Sequence, residues 1–468
     1  MELTKTNFIH YLNCPKSLWL YKRDNDLYPD GDFTAFMQKL AREGYEVERY
    51  VKALFAGNDA MDFQKTFRSP EGLFARADGF EKTEQGQACL YEVKSSTSVK
   101  RSGGHSHLKD ACFQTIAAER SGQNIDKVFL IHLNGKYIRD GEVDPEALLV
   151  IEDVTEEVRE IYGETSDEID QALGLLSEAE IERDGCSCIF NSKANHCDTF
   201  ELFNTEIPSP SIYNLPRLSE KKRRELIRND LIALQDVPAA YELSDIQSSV
   251  LMAAHAGEAQ IDKTAIASML ADYQFPLYFF DYETFASAVP MIDGASPHKH
   301  FPVQYSLHIL EEDGTLTHKE FLQREPQLPL NLVEQMEADF GETGSVVSWH
   351  ASFEKTQNKE MAKWFAEKTD FLSDLNDRMV DLEDMFKRAY VDTRFGGSTS
   401  IKKVLPVICP HLGYDDLDVQ DGASAMDAWQ KMIQSSGDEA EAQAKALLSY
   451  CEMDTFAMVE IYRFLRDL

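Results

Sequence analysis

The chain has 468 residues, is 43% apolar and carries a formal net charge of −34 at pH 7. No apolar run nears the ~20 residues of a membrane span, and Met1-Glu2-Leu3-Thr4-Lys5 is no secretory signal, so a cytoplasmic protein without a membrane partner is expected. The acidity is spread, −15 over residues 1–206 (23 basic, 38 acidic) and −19 over the rest (24 and 43), which argues against long-range steering of a polyanion and leaves room for a basic protein partner.

In chain order, residues 4–23 keep helical spacing through Phe8, Tyr11, Leu12, Leu18 and Trp19, with an interruption at Cys14-Pro15. A second helix is predicted over 33–57, with Phe36, Leu40, Val47, Val51, Leu54 and Phe55 on one face. Strand patterns follow at 73–80, 88–95 and 127–133, with a helix near 108–121 between the last two. Residues 155–183 read as acidic helix. A cysteine-rich stretch, 185–198, then leads into a loop punctuated by Pro208, Pro210 and Pro216. Residues 218–272 read as charged helical segments without strands. From 276 the pattern becomes strands at 277–281, 303–310, 316–322 and 345–350, then helices at 352–367 and 440–467. The expected fold class is α/β, in three parts: a domain over 1–206, a helical connector over 207–272 and a second domain over 273–468.

Two carboxylate clusters carry the chemistry. The first is Asp78, in Arg76-Ala77-Asp78-Gly79-Phe80, with Glu92-Val93-Lys94. Alternation along a strand sends Glu92 and Lys94 to one face, and Asp78 on the neighbouring strand can share a metal with Glu92. Mg²⁺ or Mn²⁺ prefers such oxygen ligands and keeps waters, one of which can attack. Lys94 can orient that water or offset charge on a phosphate. Glu48 can add a ligand, and Gln114 can bind substrate or water.

The second cluster is Asp281-Tyr282-Glu283, closing the apolar run Leu277–Phe280. Both carboxylates leave one strand face and can hold metal ions between them. Asp454 and Tyr450 are four residues apart, on one helical face, so Asp454 can ligate and the Tyr450 phenol can orient water. Glu354, after the strand 345–350, supplies the fourth carboxylate. Buried charges of one sign at a strand end imply a compensating cation.

Asp78, Glu92, Lys94 and Gln114 resemble the PD-(D/E)XK nuclease superfamily, most closely its RecB-like branch. Glu48 stands where many members carry His, and Ala118 where the branch usually has an aromatic residue. In that branch one cysteine before the core and three after it ligate a 4Fe-4S cluster. The resemblance assigns that role to Cys14, Cys186, Cys188 and Cys197, with structural Zn²⁺ as the alternative occupant. Cys89, Cys112, Cys409 and Cys451 are expected to be buried thiols. Asp281, Glu283 and Tyr450-x3-Asp454 resemble the tyrosine subgroup of DEDD exonucleases, with a DnaQ-like, ribonuclease-H-like fold. In the middle motif His350 and Glu354 replace the usual Asn and Asp. The whole chain resembles an uncharacterised bacterial family that joins a RecB-like half to a DnaQ-like half. The resemblance implies a metal-dependent nuclease, expected to be a DNA exonuclease in repair, recombination or defence. An RNA 3′–5′ exonuclease is the first alternative. A scaffold binding nucleic acid or protein, with both sites vestigial, is the second.

Overall fold

The computed structural model describes residues 1–29, 35–103 and 106–468. They form two compact α/β units, Met1–Glu206 with Ser287–Lys299, and Ile207–Ala286 with His300–Leu468.

The first unit is built on six strands: β1 (Leu3–Thr4), β2 (Met61–Arg68), β3 (Leu73–Lys82), β4 (Ala88–Val93), β5 (Lys127–Leu133) and β6 (Leu149–Asp153). Their order is β1-β3-β4-β5-β6, with β2 also on β3. β3 organises the sheet. It takes β1 in parallel at Leu73 and Phe74, β2 antiparallel along its length and β4 antiparallel at Gly79–Lys82. β4 and β5 run parallel, and the helix His107–Arg120 makes the crossover between them. Its Ala111, Ala117 and Ala118 are fully buried, so the small side chains let the helix lie close to its neighbours. Phe113 stacks on Phe8, ring centroids 5.3 Å apart, and locks the N-terminal helix onto it.

Cys14-Pro15 divides the first helical stretch as the pattern predicts, into Lys5–Asn13 and Pro15–Arg23, with Cys14 extended between them. The second helix spans Ala35–Leu54 and buries Val47 and Val51 against Tyr91, Ile131 and Leu133, on β4 and β5. Residues 33 and 34, expected at its start, and the Phe36 side chain lie outside the described residues. β2 and β6 were not foreseen. In β2 the alternation breaks at Gln64, whose φ is +60°. Gln64 stands opposite Asp78, between the pairs Phe63–Gly79 and Lys65–Ala77.

The second unit holds β7 (Gln260–Ile261), β8 (Leu277–Phe285), β9 (Phe301–Leu310), β10 (Leu316–Leu322), β11 (Ser345–Ser348), β12 (Met379–Asp381) and β13 (Tyr390–Val391). The main sheet has the order β10-β9-β8-β11-β12. β8, β9 and β10 form the expected antiparallel meander, and β11 and β12 join in parallel. Alternation sorts β8 cleanly. Tyr278, Phe280 and Tyr282 enter one core with Tyr305 and Leu307. Asp281 and Glu283 take the other face, which the C-terminal helix Asp438–Arg466 covers: Gln304 of β9, opposite Glu283, donates to the Leu447 carbonyl. Residues 207–272 group with this unit rather than standing apart. Ile212, Leu226, Leu234 and Leu251 share a core with Val391, and β7 pairs with β13.

Candidate functional site

In the first unit the strand register brings the predicted residues together around Glu92, which is fully buried. Glu92 Oε1 accepts from Lys5 Nζ and from Lys94 Nζ, the latter at 2.7 Å, while Oε2 accepts from Gln114 Nε2. Lys94 also donates to Asp110, on the crossover helix. Asp78 Oδ2 accepts from the Val93 amide at 2.8 Å, so it sits beside the Glu92 strand as expected. A cavity of about 410 Å³ opens here, lined by Lys5, Arg76, Asp78 and Gln114 among others. Arg76 is exposed at its edge. Glu48 is 3.4 Å from Gln64 Nε2 and 4.0 Å from Lys52, and near enough for its charge to act on Asp78.

Electrostatics separates the two acids. Burial pushes Glu92 up, but Lys5 and Lys94 outweigh it and hold the carboxyl down at about 2. Asp78 is pushed up to about 7, first by burial and then by the Glu92 charge. Burial lowers Lys94, yet Glu92 and Asp110 more than offset this, so it stays an ammonium and serves as a fixed positive charge rather than a base. Gln114 Oε1 is buried without a hydrogen-bond partner. Lys5 and Asp110 are the members that sequence reasoning missed.

In the second unit ligand atoms of Asp281, Glu283 and Cys451 lie within 4.8 Å of one another. The C-terminal helix delivers Cys451 together with Tyr450 and Asp454, all buried. Tyr414 donates to Asp454 Oδ1 at 2.6 Å, and Lys402 donates to the Tyr450 oxygen at 3.0 Å. Glu354 begins the helix Ser352–Trp364 and is buried, with Oε2 lacking a partner. His350 turns elsewhere. Its amide is tied to Asp381 and its ring to Glu383, and 61% of its side chain is exposed. Burial raises Asp281 and Glu283 well above the carboxylate range, and each is raised further by Asp454. It also lifts Glu354 to about 8 and Asp454 to about 6. Both phenols are raised, first by burial, and remain protonated. Cys451 is a fully buried free thiol, as expected, and it lies beside Asp281 and Glu283. Tyr414 has no sequence signal of its own.

These raised acids set a pH dependence. Their folded values of about 6 to 8 lie above the ~4 of an unfolded carboxyl, so the folded state binds more protons across that interval. The stability they contribute is complete below about pH 4 and is lost as pH rises through 6 to 8. In chelator, the Tm is expected to fall between pH 5 and pH 8. A flat Tm across that window contradicts the placement of these acids. Glu92 runs the other way, its contribution disappearing only as pH falls from about 4 towards 2.

The sulfur atoms of Cys14, Cys186, Cys188 and Cys197 lie within 4.8 Å of one another, the arrangement a four-thiolate metal site requires. Asn204 donates to Cys186 Sγ at 3.3 Å, and Cys197 Sγ is 3.5 Å from Thr199 Oγ1. Hydrogen bonds among the thiols, Cys14 first, lower Cys186 and bring Cys197 down to about 7, while Cys14 and Cys188 are raised, so the four thiols share their protons unevenly. His196 stacks on Phe200 and is not among the four. Of the basic residues around positions 100 and 221–224, Arg101 pairs with Glu152 and Glu157, Lys222 donates to the Glu242 carbonyl and Arg224 pairs with Glu220, while Lys100 and Lys221 are exposed.

Residues 278–400 match the family described as a domain of unknown function, DUF2779. An uncharacterised protein of Mycoplasma pneumoniae, the MG366 homolog, is 30% identical over 213 residues. MG366 of Mycoplasma genitalium is 26% identical over 212. The aligned stretch is 40% and 41% of this chain and 32% of each relative, so the match spans about a third of their length. The crystal structure of SSO0001 aligns with 36% of this chain and 76% of that one, at 14% identity and a TM-score of 0.23, too low to bear on the fold. No helix among the described residues is long and apolar enough to cross a membrane.

Proposed function

We propose that the protein is a divalent-metal-dependent nuclease with two phosphodiester-hydrolysing sites, acting on DNA from its ends. The observation that carries this reading is the first cluster. Asp78, Glu92, Lys94 and Gln114, predicted from strand alternation and from resemblance, meet around one buried carboxylate beside an open cavity. The orphaned Gln114 Oε1 and Glu354 Oε2 fit sites completed by a ligand.

In the first site Asp78 and Glu92 are the groups to hold Mg²⁺ or Mn²⁺. When bound, the ion supplies charge neutralisation and a water acidified for attack. Lys94 keeps its charge and stands ready to offset the charge that builds on phosphate. Arg76 at the cavity edge and Lys5 inside it provide local positive charge that a net acidic surface lacks. In the second site Asp281, Glu283 and Asp454 are the ligand set, with Glu354 beside them. Tyr450, neutral and held by Lys402, orients the attacking water. For the four thiols a 4Fe-4S cluster is proposed, with zinc as the alternative that absorption spectroscopy separates.

The test uses labelled single-stranded DNA, duplex DNA and RNA with Mn²⁺. Wild type is compared with Asp78→Ala, Asp281→Ala and the double variant. The proposal expects DNA shortened from its ends, partial loss in each single variant and none left in the double. Preference for RNA moves the assignment to an RNA exonuclease. Absence of both cleavage and metal uptake leaves the scaffold reading, for which the acidic surface would recruit a basic partner.

A further inference from the structure

Beside the carboxylates, on the same face of the second sheet, two imidazoles and a carboxylate converge. His308 on β9 and His318 on β10 are paired directly across the hairpin, and their rings stack with centroids 4.4 Å apart. Glu452, on the C-terminal helix, completes the group. One ligand atom from each residue lies within 4.8 Å of the other two, and His318 Nδ1 is 3.8 Å from Glu452 Oε1.

Hydroxyls hold one nitrogen of each ring. His308 Nδ1 lies 2.8 Å from Thr455 Oγ1, and His318 Nε2 lies 2.9 Å from Ser306 Oγ. The two hydroxyls are 2.7 Å apart, and Thr455 Oγ1 also reaches the Glu452 and Cys451 carbonyls, at 3.1 and 3.4 Å. The nitrogens outside this network are His308 Nε2 and His318 Nδ1, and the latter faces Glu452. An imidazole oriented through one nitrogen by a neighbour, with the other free to coordinate, is the usual state of a metal-bound histidine. His308 is 4% exposed, whereas half of the Glu452 side chain (51%) faces solvent, so the group has a buried floor and an open side. Glu320, two residues after His318 on the same face of β10, adds a second carboxylate.

We propose that His308, His318 and Glu452 form a site for a borderline divalent transition ion, Zn²⁺ foremost. Two imidazoles and a carboxylate suit zinc better than they suit the oxygen-seeking Mg²⁺. The site is distinct from the four thiols and from both carboxylate clusters. Glu452 is two residues from Tyr450 and two from Asp454, so a bound ion ties the β9–β10 hairpin to the helix that carries them. Its role is positioning.

The experiment is calorimetric titration of the chelator-stripped full chain with Zn²⁺, for wild type, Glu452→Gln and His318→Gln. Both positions reach solvent, and circular dichroism checks the fold. The thiolate-to-metal absorption of bound Co²⁺ reports the cysteine site as an internal control. Wild type is expected to take one equivalent more than either variant, or to bind that equivalent at least tenfold more tightly. Its Tm is also expected to rise further on zinc addition, with the thiolate band unchanged in all three. Identical stoichiometry, affinity and Tm response across the three proteins overturns the site, whatever the nuclease assays show.

Discussion

Glu92→Gln is expected to abolish cleavage at the first site and to destabilise the unit that holds it. Glu92 stands between Lys5 and Lys94 and also receives Gln114. The amide keeps the volume but removes the charge, so two ammonium groups lose their common anion and Lys94 keeps only Asp110. Breaking a buried ion pair from one side costs about 3–5 kcal/mol. Loss of one preorganised electrostatic group at a reacting centre costs on the order of 10²–10³ in rate. Denaturant unfolding measures the first quantity, and cleavage in an Asp281→Ala background measures the second. Wild-type values for both would remove Glu92 from the centre of the site.

Cys188→Ser has the second large effect, through the chain rather than the chemistry. Cys14 and Cys186 are 172 positions apart (186 − 14), and a shared metal closes that whole stretch. Chain entropy alone makes such a closure worth about 5 kcal/mol, and four-thiolate sites bind their ions strongly enough to decide folding. The variant is expected to purify without bound iron or zinc and to unfold first in residues 1–206. Elemental analysis and hydrogen exchange by segment would register both. Wild type that purifies without metal, or a variant as stable as metal-loaded wild type, would show that the thiols hold no stabilising ion.

The parts of these sites legible in the sequence were those with local spacing. Glu92 and Lys94 share a face because strands alternate, and Asp281 and Glu283 do so for the same reason. Asp454 and Tyr450 follow from one helical turn. Lys5 left no such trace. It is 87 positions from Glu92, and the pairing of Leu3 and Thr4 with Leu73 and Phe74 brings its helix to the sheet. Tyr414 and Lys402 reach the second cluster from loop and helix segments whose placement depends on tertiary packing. β2 escaped because Gln64 interrupts its alternation with a left-handed backbone, and the 207–272 segment because its apolar partners, Val391 among them, come from far along the chain.

The helix Lys5–Asn13 carries an anchor at each end. Lys5 opens it against Glu92, and Cys14 follows its last residue among the thiols. Nine residues make a strut of roughly 13 Å, stiff enough to transmit a displacement. The thiol group and the buried carboxylate are thus two ends of one rigid element, so both share a single mechanical frame.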